Sequence, residues 1–214
     1  MLRRTCWSSL NIQAFCKTNV IQLLLVEVGF FCLLNTYMAI RNVLRIGHPV
    51  LRGQAEEVPC DWFGSKRLDQ LIADLFDTKS ACSGAGLAAP QIEEPWRIFV
   101  VGMGHNPRYP DAHPLPESVV INPVIKSIGD KLVTGWEGCL SVPGLRGQVK
   151  RWKCIHLKWQ DQEGGLHTEQ LQDFHARVIQ HEKDHLDGVL FPDRLTSPLA
   201  FGFTDELQAH GRIP

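Results

Sequence analysis

The sequence predicts an α+β fold in which mixed and antiparallel strands pack around a C-terminal helix carrying an H-E-x-x-H metal motif. Three observations carry that prediction. Residues 66–77 repeat apolar side chains at helical spacing. Several later segments are apolar or alternating at strand length. Residues 173–188 then form a second helical pattern with polar groups on its inner face.

Residues 41–52 (RNVLRIGHPVLR) read as a short extended segment that enters a turn at Gly47-His48-Pro49. Between Lys66 and Asp77, Leu68, Leu71, Ile72, Leu75 and Phe76 make one apolar helix face, with Ser65 as its cap. Their role is core packing. The two glycines of Ser83–Gly86 break that pattern. Arg97–Met103 and Ser118–Asn122 are strand-like. Gly104–Glu117 holds four prolines with His105 and His113, a surface loop whose histidines are solvated. Val149–Trp159 alternates, with Ile155, Leu157 and Trp159 on one face. Gly164-Gly165 is a turn and Leu166–Leu171 the returning strand. Asp173 caps a final helix that closes at Gly188.

The first forty residues differ in kind. They hold three bases (Arg3, Arg4, Lys17) and one acid (Glu27). Val20–Leu34 is apolar except for Gln22, Glu27 and Gly29, shorter than the roughly 20 residues of a spanning helix. Three readings compete: an organelle transit peptide, a signal-like segment without a cleavage site, and an upstream stretch before a true start at Met38. The expected organisation is a leader over residues 1–37 and a catalytic domain over 38–214.

Composition excludes several classes. With 44% hydrophobic and 21% charged residues, the 214-residue chain is neither disordered nor fibrous. Its 22 bases and 23 acids give a net charge of −1, against a nucleic-acid partner. The seven cysteines contain no C-x-x-C pair, which argues for free thiols in a reducing compartment.

The chemistry sits in three segments. On a helix, His181 and His185 share a face and can direct two imidazoles at one metal ion, with Glu182 one step round. Phe174, Val178 and Ile179 make that face apolar, so the imidazoles point inward. A catalytic metal needs a third protein ligand and one open position. Glu206, 21 residues after His185, would suit a gluzincin-like zinc endopeptidase. Cys139, in the turn EGCLSVPG, is the other candidate, since a thiolate is a strong soft ligand. The residues alone leave both open. In GAGLAAPQI, two glycines allow close backbone approach, and the Gln91 amide can donate to a developing oxyanion.

GAGLAAPQ, EGCLSVPG and QHEKDHLDGVLF, in this order, resemble the three motifs of peptide deformylases. They lie 48 residues apart from Gln91 to Cys139 and 42 from Cys139 to His181. The opening LRIGHPVLR is similar too. The resemblance spans about Met38 to Leu207. It implies that Cys139, His181 and His185 hold one Fe(II), with Zn(II) or Ni(II) as substitutes. It implies Glu182 as general base and acid, and Gln91 with the Leu140 N–H as oxyanion donors. The substrate would be the formyl-methionine end of a new polypeptide, added as a strand along Ala85–Gly86 and Leu140–Gly144. Val178 with His181 would line the methionine pocket, and Arg146 its mouth. A metal-activated water would attack the formyl carbonyl and release formate. The resemblance also favours Met38 as the start and the cytoplasm of a bacterium, with a mitochondrion or plastid as the alternative and the ribosome as a possible partner surface. Two features depart from the family pattern: Glu93 replaces a common glycine, and the 104–117 loop is long.

Overall fold

The computed structural model describes residues 40–104 and 113–213. The expectations for the leader and for His105 fall outside them. Among the described residues, no helix is long and apolar enough to cross a membrane.

The predicted α+β architecture is what the chain forms. Helix α1 (Lys66–Ala81) starts where expected, with Ser65 Oγ accepting the Leu68 N–H at 3.3 Å, and runs four residues further than the pattern suggested. A short strand β1 (Gly86–Ala88) and a 3-10 turn (Ala89–Ile92) follow. Strands β2 (Ile98–Met103) and β3 (Leu115–Ser127) come next, so the far end of the expected loop is strand. Then come β4 (Leu132–Cys139), β5 (Val142–Trp152), β6 (Cys154–Gln160) and β7 (Leu166–Gln172). Helix α2 (Asp173–Leu186) carries the histidines, and β8 (Phe201–Phe203) with α3 (Thr204–Ala209) closes the chain.

The strands make two antiparallel sheets, one ordered β1-β2-β3-β6-β7 and the other β4-β5-β8. The single alternating stretch expected over Val149–Trp159 is cut at Lys153, and its halves belong to different sheets. Alternation persisted across the cut because both halves bury every second residue.

The five-stranded sheet lies between the two long helices. Phe99, Val101, Val120, Ile155 and Leu157 pack with Ala176, Ile179 and Leu186 of α2. Ile98, Val100 and Ile121 pack with Leu68, Leu71, Ile72 and Leu75 of α1. Strand β2 is therefore buried on both faces, which is why its sequence is an unbroken apolar run.

Both ends of α2 show local chemistry. Asp173 is not the cap: Gln172 holds that position, and Asp173 is the first helical residue, at φ +52°. At the other end, the Val189 N–H bonds to Asp184 O at 2.9 Å and the Gly188 N–H to His185 O at 3.3 Å, a Schellman stop with Gly188 at φ +71°. A Cβ on Gly188 would lie 2.6 Å from the Arg52 carbonyl oxygen. Glu93 occupies a left-handed position too, at φ +69°, which accounts for glycine being common there in the family it resembles.

Gly188→Ala combines a left-handed alanine with a backbone clash. It is expected to lower the unfolding free energy by about 2–3 kcal/mol, read as a reduced urea midpoint at unchanged m-value.

Candidate metal centre

Three remote segments meet in one cavity of about 380 Å³. Strand β4 ends at Cys139 and turns through Leu140 and Ser141 into β5. Helix α2 presents Phe174, Val178, His181 and Glu182 to the same space, and the segment Ser83–Gly86 and Gln91 close it from the side of β1. Ala85, Gly86, Leu140, Gly144, Arg146 and Val178 all line the cavity, so every expected substrate-binding residue is gathered there.

The ligand atoms of Cys139, His181 and His185 lie within 4.8 Å of one another. Cys139 Sγ is 3.2 Å from His185 Nε2. Burial pushes the Cys139 thiol up, but the charge and hydrogen bonds of the two histidines outweigh it and hold the group well below the usual thiol range. His185 Nδ1 and Glu182 Oε2 are buried without a hydrogen-bond partner. A thiolate and two imidazoles around one point are a donor set that fits a divalent cation. Glu206, the other proposed third ligand, stands on α3 with 72% of its side chain exposed, beside His210, and is not in the group. The gluzincin reading is not favoured.

Glu182 faces Gly86 across the cavity. A Cβ on Gly86 would fall 2.4 Å from Glu182 Oε1, so this glycine is required by close approach. Burial raises the Glu182 carboxyl to about 7.

Gln91 is 2% exposed and fixed at both ends of its amide. Its Oε1 accepts the Ala88 N–H at 2.8 Å, which leaves Nε2 as the donor toward Ser141 Oγ at 3.1 Å and Cys139 Sγ at 3.6 Å.

Sequence reasoning missed the residue that orients His181. Glu137 is buried between two charged partners and the histidine. Its Oε2 lies 2.9 Å from His181 Nδ1 and from an Arg151 nitrogen; its Oε1 meets Arg151 Nε at 3.0 Å and Arg177 at 2.8 Å. Burial favours the neutral acid, but Arg151 and His181 prevail and hold this carboxyl far below the usual range. Arg151 also pairs with Asp184, which takes Arg194 at 2.6 and 2.7 Å. Asp184 is buried and binds these arginines rather than a histidine. An acid two residues before Cys139, in a segment with no other charge, was the available signal. Lys183 has no such part and pairs with Asp187 one turn on.

The Polypeptide deformylase family model matches residues 40–200. The chain belongs to the polypeptide deformylase family. It is 52% identical to Peptide deformylase 1 of Prochlorococcus marinus (strain MIT 9313) over 82% of this chain and 91% of that one. Among solved structures it resembles the Met-Ala-Ser-bound class I type b peptide deformylase of Acinetobacter baumannii, with 37% identity, a TM-score of 0.72, and coverage of 74% of this chain and 99% of the other. The actinonin complex of a Synechococcus elongatus peptide deformylase shares 30% identity with a TM-score of 0.66, over 88% of this chain and 94% of that one. As a deformylase-family chain it is metal-dependent, and Cys139, His181 and His185 form its possible metal site.

Glu137→Gln keeps the shape but loses the charge that orients His181 Nδ1–H. Metal affinity is expected to fall about 10- to 100-fold in competition with a chelator, with the far-UV spectrum retained. Gly86→Ala is expected to displace Glu182 and cost about a hundredfold in turnover at unchanged metal content.

Proposed function

We infer that this chain hydrolyses the N-formyl amide of formyl-methionyl polypeptides and releases formate. The observation that carries the reading is the meeting of Cys139, His181 and His185 beside Glu182 and Gln91 in one cavity. We assign Cys139, His181 and His185 as metal ligands, Glu182 as the proton carrier, and Gln91 with the Leu140 N–H as oxyanion donors. Fe(II) is the proposed metal, with Zn(II) or Ni(II) able to replace it.

When bound, the metal supplies Lewis-acid polarisation and lowers the pKa of water toward neutrality. The chain's own groups do the rest. Glu182, held near pH 7 by burial, is suited both to take a proton from the attacking water and to return it to the leaving amine. Gln91 Nε2 is already turned toward Cys139, because Ala88 holds the other end of its amide. It needs no reorganisation to meet the negative oxygen. Phe174 and Val178 give the cavity an apolar wall for a methionine side chain, and Arg146, which we assign to its mouth, lines the same cavity. Strand β1 is the edge strand of its sheet, which allows the peptide to join as a further strand along Ala85–Gly86, facing Leu140–Gly144.

The family match from residue 40 supports a catalytic domain over 38–214, with residues 1–37 as a leader. The bacterial relatives support a bacterial, cytoplasmic enzyme acting on nascent chains, with the ribosome as a partner surface.

The deciding experiment is formate release from formyl-Met-Ala-Ser by protein purified without oxygen and loaded with Fe(II), Ni(II) or Zn(II). Release that is fastest with Fe(II) or Ni(II) and lost in Glu182→Ala is expected. No release from any folded, metallated form would refute the reading. Gln91→Ala should lower kcat/KM about a hundredfold with metal retained, since one oxyanion donor contributes about 3 kcal/mol.

A further inference from the structure

Lys79 is a buried ammonium that the chemistry above does not use. It stands in the last turn of α1 and is 3% exposed. A lysine so placed is costly unless hydrogen bonds meet its charge. Its Nζ donates to the Gly102 carbonyl at 2.9 Å and lies 3.4 Å from Glu117 Oε1, whose side chain is 68% exposed. The Phe76 ring lies beneath the ammonium, its centre 5.5 Å away.

Backbone and side chain of this one residue grip the same short segment. The Lys79 carbonyl accepts the Gly84 N–H at 2.9 Å. The Lys79 ammonium holds Gly102, and the Gly102 N–H donates to the Ala85 carbonyl at 3.0 Å. Gly102 is where the β2–β3 ladder slips, between Val101 and Met103, and a slipped position is where a strand bends most easily. Glu117 packs over it closely enough that a Cβ on Gly102 would sit 2.5 Å from Glu117 Cγ. Ser83 at φ +52°, Gly84, Ala85 and Gly86 are the cavity wall on this side.

We propose that Lys79 is a positioning residue for the substrate: it clamps Ser83–Gly86 at the register that pairs with the backbone of the formyl peptide. Through Glu117 the same clamp ties that register to the start of β3. The proposal rests on the reading of Ala85–Gly86 as the edge the peptide joins. A charged donor fits this task better than a neutral one, because it holds a carbonyl at a bulge more strongly than the ladder does.

Lys79→Met keeps the apolar stem and removes the charge. The KM for formyl-Met-Ala-Ser is expected to rise about tenfold, while kcat stays within about threefold. Inhibition by the product Met-Ala-Ser weakens in step. Inhibition by acetohydroxamate, which is too small to reach Ala85–Gly86, is unchanged, and this separates a displaced strand from a disturbed metal centre. Lys79→Arg, which keeps a cation, brings KM back to within about threefold of the parent. A fall in kcat at constant KM, or equal weakening of both inhibitors, overturns the clamp. Should Lys79→Met fail to fold, Glu117→Gln takes its place: KM rises about threefold, and an unchanged KM overturns the clamp. Absence of formate release from the parent chain overturns the activity reading itself, a result distinct from any of these.

Discussion

The buried carboxylate of Glu137 is the constraint on which the rest depends. It sits on β4, in the sheet opposite α2, and takes His181 on one oxygen and Arg177 on the other, with Arg151 across both. Arg177 also donates to carbonyl oxygens of Val133 and Val149, so the helix is fastened to both strands of the β4–β5 hairpin. Buried ion networks of this kind seldom add much net stability, because desolvation offsets the attraction. What they add is a single permitted geometry. His181 must present Nε2 to the cavity, because Nδ1 is engaged. Removal of Glu137 would leave two arginines buried beside the site, so the arrangement has no cheap alternative.

The second constraint is distance along the chain. Gln91, Cys139 and His181 come from different elements, and each is stitched to its neighbours by backbone rather than by side chains alone. The opening segment does part of this. Leu44 N–H bonds to Gln91 O and Ile46 N–H to Ser141 O, both at 2.8 Å. One extended strand of chain thus fixes the glutamine of the first motif against the turn of the second. Ser141 is fully buried, and its hydroxyl accepts from Gln91, which completes the tie. The two-sided burial of β2 supplies the rigid floor from which these connections are made.

Much of this was legible in the sequence. Both long helices, strand β6 and the inward face of α2 follow from periodicity, since a packed face must repeat at the period of its element, while β2 follows from its apolar run and β7 from the Gly164-Gly165 turn before it. The H-E-x-x-H pair is local and therefore readable. The hairpin β4–β5 was harder: Leu132 and Val133 are exposed, and Gly135 and Gly138 break any alternation. The choice of Cys139 over Glu206 depends on which segment folds back onto α2, and nothing local records that. Lys79 and Glu137 were missed for one reason: a charged residue on a helix or strand usually faces water, and only the three-dimensional arrangement shows these two enclosed. Asp173 is not the cap because it stands one place further on, as the first helical residue, at φ +52° and with its N–H bonded to Lys153 O at 2.8 Å.

The glycine-rich motif reads weakly in a sequence because glycine carries no functional group. In the fold its contribution is space. Glu182 occupies the volume a side chain at Gly86 would need, and Leu140 approaches Gly84 to within 3.0 Å of where a Cβ would stand. Space on one side and enclosure on the other produce the same chemical result. A carboxyl pressed against backbone, away from water and without a full set of partners, loses its preference for the charged form. The proton carriage proposed for Glu182 needs that balance. The acid of the third motif therefore acquires its character from the absent side chains of the first, and neither segment would have the property alone. The clamp at Lys79 belongs to the same logic, because a wall that sets the environment of Glu182 by its nearness must itself be held still.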